Sequence, residues 1–399
     1  MNTLKEVLKP FAWYAKMIEL ATTIRLKKLF GKVYKPRWVI FQTTNKCNLL
    51  CLMCNVGREF LKNPQIASND LTIEELKNIF KRDYNMLKNI SFLELTGGEP
   101  FMRSDLVEMI KLFHNFLPKC YIWIPTNGTL PSKIEKDMSK IVKIHKNIGI
   151  GISLDGGEEV HDKLRGIKGT YKKAVQTIKA MVKLRKKHPW LDVMVSFTLT
   201  PLNASEPPIV YKLCKHLGVR FTIRPMHLSP IFYKNIEIRN IANEKNFDEA
   251  TFNRLKKVFK ILVQEIIAND KLAAFPHLYY LENAIKFMSG DMHRNWECFA
   301  GTSAFYLEAD GDVYPCTFLN KKLGNLRQTS LRDIWISKEA REARNEIAKH
   351  KCSCWVEHEA YRIIEEDFIR MLMFSVKSFA KMMIHKPILP IDELKPHLQ

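Results

Sequence analysis

Cys47, Cys51 and Cys54 stand in the run Cys47-Asn48-Leu49-Leu50-Cys51-Leu52-Met53-Cys54, separated by three and then two residues, directly after the β-rich run Trp38-Val39-Ile40-Phe41. In a reducing compartment, cysteines clustered in this way argue for metal ligation over disulfides. A cubane [4Fe–4S] cluster takes four thiolates, so a three-cysteine loop leaves one iron open to an exchangeable ligand. Zinc is the competing occupant, although structural zinc wants a closed shell of four ligands, usually from paired cysteine knuckles. A second set lies near the C-terminus: Cys298 and Cys316, with seventeen residues between them, then Cys352-Ser353-Cys354. A four-cysteine zinc site competes there too. Cys120 and Cys214 fall in a strand lead-in and a helix interior and read as packing residues.

Residues that do chemistry need elements to aim them. From about residue 37 short β-rich runs alternate with longer helical patterns, the signature of repeated βα units around a parallel sheet. Six strands are expected, at Trp38–Phe41, Ser91–Leu95, Tyr121–Ile124, Ile148–Ser153, Val193–Leu199 and Arg220–Arg224. Helical stretches lie between them, at Thr72–Tyr84, Asp105–Phe116, Lys133–His145, Tyr171–Lys187 and Ile209–Leu217, the last stopped by Gly218. Six units make an incomplete (β/α)6, TIM-like barrel of the α/β class. Such folds carry their chemistry at the C-terminal strand ends. Gly97-Gly98-Glu99-Pro100, Thr126-Asn127-Gly128, Ser153-Leu154-Asp155-Gly156 and Phe197-Thr198-Leu199-Thr200 all fall there.

Taken in order, these motifs resemble the radical S-adenosylmethionine superfamily, and the resemblance runs from residue 38 to about 226. It implies that Cys47, Cys51 and Cys54 hold a site-differentiated [4Fe–4S] cluster and that S-adenosylmethionine binds beside it. Gly97, Gly98, Glu99 and Pro100 are similar to the motif that takes the amino group of the cofactor's methionine. Glycine suits a close backbone approach and a carboxylate suits an ammonium. Asn127, Ser153 and Asp155 join the cofactor-binding set, with Ser153 on the ribose and Arg165 toward the methionine carboxylate. Leu199 stands where the family lays backbone against adenine. One departure is Met53, where an aromatic residue usually precedes the third cysteine; a thioether also packs on a π-face. Ser153–Gly156 followed by His161-Asp162 and Arg165-Gly166 resembles peptide-modifying members, which implies a peptide, protein or other complex substrate. Ala309-Asp310-Gly311-Asp312-Val313-Tyr314-Pro315-Cys316 and the cysteines around it resemble a SPASM or twitch extension. Cys298, Cys316, Cys352 and Cys354 would then hold an auxiliary [4Fe–4S] cluster, although the close spacing of the last two departs from that pattern. An electron donor such as ferredoxin or flavodoxin is implied. No general base is assigned; His227 and Glu308 are titratable positions that read as structural.

The 399-residue chain, 46% hydrophobic, is long enough for a large α/β domain and a smaller one, and the formal net charge is +21. Such a charge favours anionic partners without selecting one. The alternative to an enzyme is a zinc-stabilised binding protein whose basic surface docks nucleic acid or membrane, although no recognisable nucleic-acid motif supports it. The N-terminus lacks a signal-peptide pattern and no apolar run approaches the roughly 18 residues of a membrane span, so a cytoplasmic location is expected. Residues 1–37 carry nine Lys or Arg against two Glu, and Leu4, Leu8, Phe11, Tyr14 and Ile18 recur at helical spacing. A basic amphipathic helix of this kind could meet an anionic membrane surface peripherally, or pack on the barrel. The expected layout is an N-terminal extension over 1–36, the barrel core over 37–228, a helical linker over 229–295, an auxiliary-cluster domain over 296–360 and a helical tail over 361–399 rich in Met and Phe.

Overall fold

The computed structural model describes residues 34–238, 275–288, 297–349, 354, 355 and 357–366, with isolated positions elsewhere. In chain order the main elements are β1 Trp38–Gln42, α1 Val56–Lys62, α2 Ile73–Arg82, β2 Phe92–Thr96, α3 Leu106–Phe116, β3 Tyr121–Thr126, α4 Pro131–Ile144 and β4 Ile148–Ser153. Then come α5 Glu158–Arg165, α6 Thr170–Lys187, β5 Asp192–Leu199, α7 Pro207–Leu217 and β6 Arg220–Pro225. They are followed by α8 Phe275–Met288, β7 Ala304–Leu307, β8 Asp312–Tyr314, β9 Gly324–Asn325, α9 Leu331–Ile336, α10 Lys338–Lys349 and α11 Glu357–Glu366.

The helices form where apolar side chains recur at helical spacing behind a cap. In α2 the Thr72 hydroxyl accepts from the Glu75 amide while the Glu75 carboxylate accepts from the Thr72 amide, and Leu76, Ile79 and Phe80 face inward. Helix α7 ends at Gly218, whose φ of 63° is left-handed. Strands β1 and β4 are buried along their whole length, as expected of parallel strands covered on both faces.

The chain divides into two compact units, one of residues 35–242 and 300–349, the other of 1–34, 243–299 and 350–399. In the first, the sheet runs in the order β6-β5-β4-β3-β2-β1-β7-β8-β9. Each of β1 to β6 pairs in parallel with its sequence neighbour, the expected six-strand wall of a partial barrel. The sheet then continues beyond β1: β7 adds in parallel, with Trp38 opposite Ala304 and Phe41 opposite Leu307. Strands β8 and β9 close that side antiparallel. In the second unit the Trp355 indole donates to the Tyr280 carbonyl at 2.8 Å, and Tyr280 stacks on both Trp355 and Tyr361. No helix among the described residues is long and apolar enough to cross a membrane. The N-terminal stripe from Leu4 to Ile18 and most of the Met- and Phe-rich tail lie outside the described residues.

Candidate active site

The cysteine loop leaves the C-terminal end of β1 and is held from several sides. The Asp70 carboxylate accepts from the Thr44 hydroxyl at 2.5 Å and from the Asn45 side-chain amide at 3.0 Å. The amides of Gly98 and Glu99 donate to the carbonyls of Thr44 and Lys46 at 2.9 and 2.7 Å, and those of Leu50 and Leu52 donate to the carbonyls of Arg165 and Leu164. Asn235, beyond β6, donates from its side chain to the Met53 carbonyl at 2.9 Å. Glycine is required where loop and β2 meet. A Cβ on Gly98 would stand 2.1 Å from the Lys46 carbonyl oxygen and 2.8 Å from Cys47 Cβ, and one on Gly97, at φ 141°, 2.5 Å from the Thr44 carbonyl oxygen.

Cys47 and Cys51 are buried and Cys54 is partly so, with Leu49, Met53, Leu164 and Met226 packed around them. Burial pushes all three pKa values up, Cys54 to about 12, and the neighbouring thiols raise those of Cys47 and Cys54 further. A cationic group among them would offset that penalty, because ligation needs the thiolates. Elsewhere among the described residues, Glu308, Asp310 and Asp312 bring three possible ligand oxygens within 4.8 Å of one another.

A cavity opens over these sulfurs, walled by the ends of β2 to β6. Of the expected cofactor residues, Gly97, Gly98, Glu99, Pro100, Asn127, Ser153 and Arg165 line it, as does Met53. Glu99 is fully buried: Oε1 accepts from the Phe101 amide at 3.1 Å and the Thr126 hydroxyl at 2.8 Å, and Oε2 from the Asn127 amide at 2.7 Å. Burial outweighs those donors and lifts its pKa to about 7. The Asn127 side chain donates to Asn48 Oδ1 at 2.9 Å, and Asn48 donates to Thr129 at 2.8 Å, which ties the end of β3 to the cysteine loop.

Asp155 and Leu199 do not reach the cavity wall. Asp155 is fully buried, with Oδ2 2.7 Å from Arg165 Nε and 2.6 Å from Nη2, and Oδ1 accepting from the Thr198 amide at 2.8 Å. It aims Arg165, whose guanidinium then lies 4.0 Å from Cys51 Sγ. The Asp155 amide donates to His161 Nδ1 at 3.0 Å, and burial keeps that imidazole neutral, with its pKa lowered to about 4. Leu199 is buried at the end of β5, where its carbonyl accepts from the Met226 amide.

The sequence reading did not single out Arg58, Asn48, Asp70 or Asn235, which clamp the loop, nor Glu94, Thr96, Arg224, Phe232 and Tyr233 on the cavity wall. Glu94 and Arg224 carried a signal, as charged residues inside otherwise apolar strands. His227, read as structural, also lines the cavity, and its Nδ1 donates to the Pro225 carbonyl at 2.6 Å. Glu308 keeps company with Asp310, Asp312 and Tyr314, and burial raises its pKa to about 7. Cys120 and Cys214 are buried, as expected of packing residues. Of the C-terminal cysteines, Cys298 lies 3.7 Å from the Arg362 guanidinium within its own unit, Cys316 Sγ accepts from the Leu319 amide at 3.3 Å within the barrel unit, and Cys352 lies outside the described residues.

A partial barrel whose first loop presents three cysteines to a cavity lined by glycine backbone and a buried arginine is a fold suited to holding a metal cluster. Comparison with known proteins narrows the class. A family model for the radical SAM superfamily matches residues 41–214, and one for the SPASM iron–sulfur cluster-binding domain matches residues 298–355. Relatives include a cysteine-type anaerobic sulfatase-maturating enzyme of Clostridium novyi, 26% identical with 79% of this chain and 83% of that protein covered. An AdoMet-dependent heme synthase of Methanosarcina barkeri is also 26% identical, with 79% and 87% covered. Among solved structures, Streptococcus suis SuiB bound to the precursor peptide SuiA superposes with a TM-score of 0.58 at 18% identity, covering 86% of this chain and 73% of that one. For anSMEcpe with bound AdoMet the TM-score is 0.57 at 21% identity, covering 86% and 100%. The chain carries a domain of the radical S-adenosylmethionine superfamily, an enzyme family, over residues 41–214 and a SPASM-type domain over residues 298–355. Its cofactors are therefore a [4Fe–4S] cluster and S-adenosylmethionine, with auxiliary iron–sulfur binding in the C-terminal domain. The zinc-protein alternative finds no support in any of these relatives.

Proposed function

We propose that the chain modifies a peptide or protein by hydrogen abstraction, with Cys47, Cys51 and Cys54 as ligands of the catalytic cluster. The observation that carries this reading is the cavity in which those thiols meet the motif-bearing strand ends: cysteine loop, glycine backbone, Ser153 and Arg165 line one cavity. Bound there, the cluster and S-adenosylmethionine would supply reductive radical chemistry able to take a hydrogen atom from a substrate.

The chain's own residues bind and orient. The glycine backbone at 97–98 and Glu99 would hold the methionine amino group of the cofactor. Arg165, aimed by Asp155, supplies positive charge for a carboxylate. Asn127 and Ser153 offer polar groups to the rest of the cofactor, and Leu49, Met53 and Met226 exclude water. Leu199 contributes through the β5 backbone behind that wall. We assign the auxiliary cluster to Cys298, Cys316, Cys352 and Cys354, in a functional domain spanning residues 296–360, with the core spanning 37–228.

A peptidic substrate is favoured by the maturating enzymes among the relatives; the heme synthases there mark the alternative, a tetrapyrrole. A cytoplasmic site of action, reduction by a ferredoxin or flavodoxin, and peripheral membrane contact through residues 1–36 complete the proposal. Anaerobic reconstitution with iron and sulfide, then dithionite and S-adenosylmethionine, tests the core of it. The wild type is expected to form 5′-deoxyadenosine and Cys51→Ala none; a wild type that binds no iron would sink the reading.

A further inference from the structure

Arg58, on the first turn of α1, folds back over the loop that leads into its own helix. Its Nη1 donates to the carbonyl of Cys51 at 2.8 Å, to that of Cys54 at 3.2 Å and to Asn55 Oδ1 at 3.2 Å. Its Nη2 donates to the carbonyl of Leu50 at 3.1 Å. Three carbonyls of one short loop, two of them on cysteines of the triad, thus converge on a single planar fork. The approach is built in: a Cβ on Gly57 would stand 1.9 Å from the Leu49 carbonyl oxygen, so α1 rests backbone to backbone on the loop. The neighbouring Glu59 is paired instead with Lys234 at 3.0 Å, and among the described residues no carboxylate pairs with Arg58. A full positive charge therefore sits on the cysteine loop.

We propose that Arg58 is a positioning residue for the catalytic cluster, fixing the cysteine loop through three carbonyls and biasing the cluster's reduction potential with its charge. This rests on the cluster reading given above. Two physical effects separate. The fork geometry belongs to guanidinium alone, since lysine offers a point charge on a flexible stem. The charge belongs to both, and a nearby cation stabilises the reduced, more negative cluster.

Arg58→Lys and Arg58→Gln, prepared anaerobically beside the wild type in the full-length chain, test both. Iron affinity is expected to fall roughly 10-fold or more in each variant, the usual cost of removing a partner that orients metal ligands. The potential of the cluster, read by EPR-monitored titration, is expected to drop in Arg58→Gln and to stay near wild type in Arg58→Lys. Wild-type iron affinity in either variant would overturn the positioning role, and equal potentials in wild type and Arg58→Gln the charge role. Arg58→Lys keeps charge and length, so it decides the fork question even if Arg58→Gln fails to fold. A wild type that forms no [4Fe–4S] cluster would fail the underlying reading instead, whatever the variants do.

Discussion

Glu99 illustrates what a single buried carboxylate does to this site. Three donors hold it, yet burial dominates and lifts its pKa from the ordinary 4.5 to about 7. The folded chain therefore keeps a proton that the unfolded chain releases near 4.5. A group whose folded pKa is raised contributes stability that is fully present below the unfolded value and is lost as pH rises through the folded one. Between those two pH values the protein should lose on the order of 3 kcal/mol from this residue. Glu99→Gln should remove that share, so the difference in melting temperature between variant and wild type should change across pH 5 to 7 and be flat above about 8. A difference that stays constant across the whole range would mean that Glu99 is not protonated on folding. Beside a bound ammonium the same carboxylate would ionise. The sequence marked Glu99 as a candidate cofactor contact; its bonds to the Thr126 hydroxyl and the Asn127 amide were not legible, since those partners come from the end of another strand.

At the scale of elements, the six strands and the helices between them follow from periodicity and caps, and their order along the sheet follows from the βα rhythm. The clamps on the cysteine loop do not. Asp70, Arg58 and Asn235 are polar residues in irregular or helix-terminal segments, and nothing local distinguishes them from solvated loop residues until the fold brings them to the loop. The close contact between β2 and the cysteine loop gives a direct test. Gly98→Ala would drive a methyl to 2.1 Å from a backbone oxygen, which no rotamer can relieve. Strand end and loop must separate, stretching the bonds from the amides of Gly98 and Glu99. The expected cost is about 1–3 kcal/mol of stability together with a loss of iron affinity, read by chemical denaturation and iron titration. Gly157→Ala is the control. Its added methyl meets nothing nearer than Glu206 Oε2 at 3.5 Å, and it should behave as wild type. Equal behaviour of the two variants would show that the loop has slack the geometry denies.

Across the barrel unit as a whole, β1 is not an edge. Its pairing with β7 was hidden from the sequence because Ala304–Leu307 lies more than 250 residues downstream, in a stretch whose short strands and cysteines read as a separate small domain. The strand does more than cover β1. The Tyr306 hydroxyl, on a fully buried ring, donates to Gln42 Oε1, and Gln42 Nε2 donates to Asn45 Oδ1 at 2.8 Å. Asn45 in turn bonds Asp70, so a chain of side-chain bonds runs from the late strand to the base of the cysteine loop. Tyr306→Phe keeps the ring and its packing on Phe232 and Tyr314 and removes only the donor. The Gln42 oxygen is then left buried without it, at a cost of about 1–3 kcal/mol. The urea midpoint should fall while the slope of the transition stays unchanged, since the surface exposed on unfolding is the same. An unshifted midpoint would mean that the bond carries no stability and that β7 is held to β1 by backbone pairing and apolar contact alone.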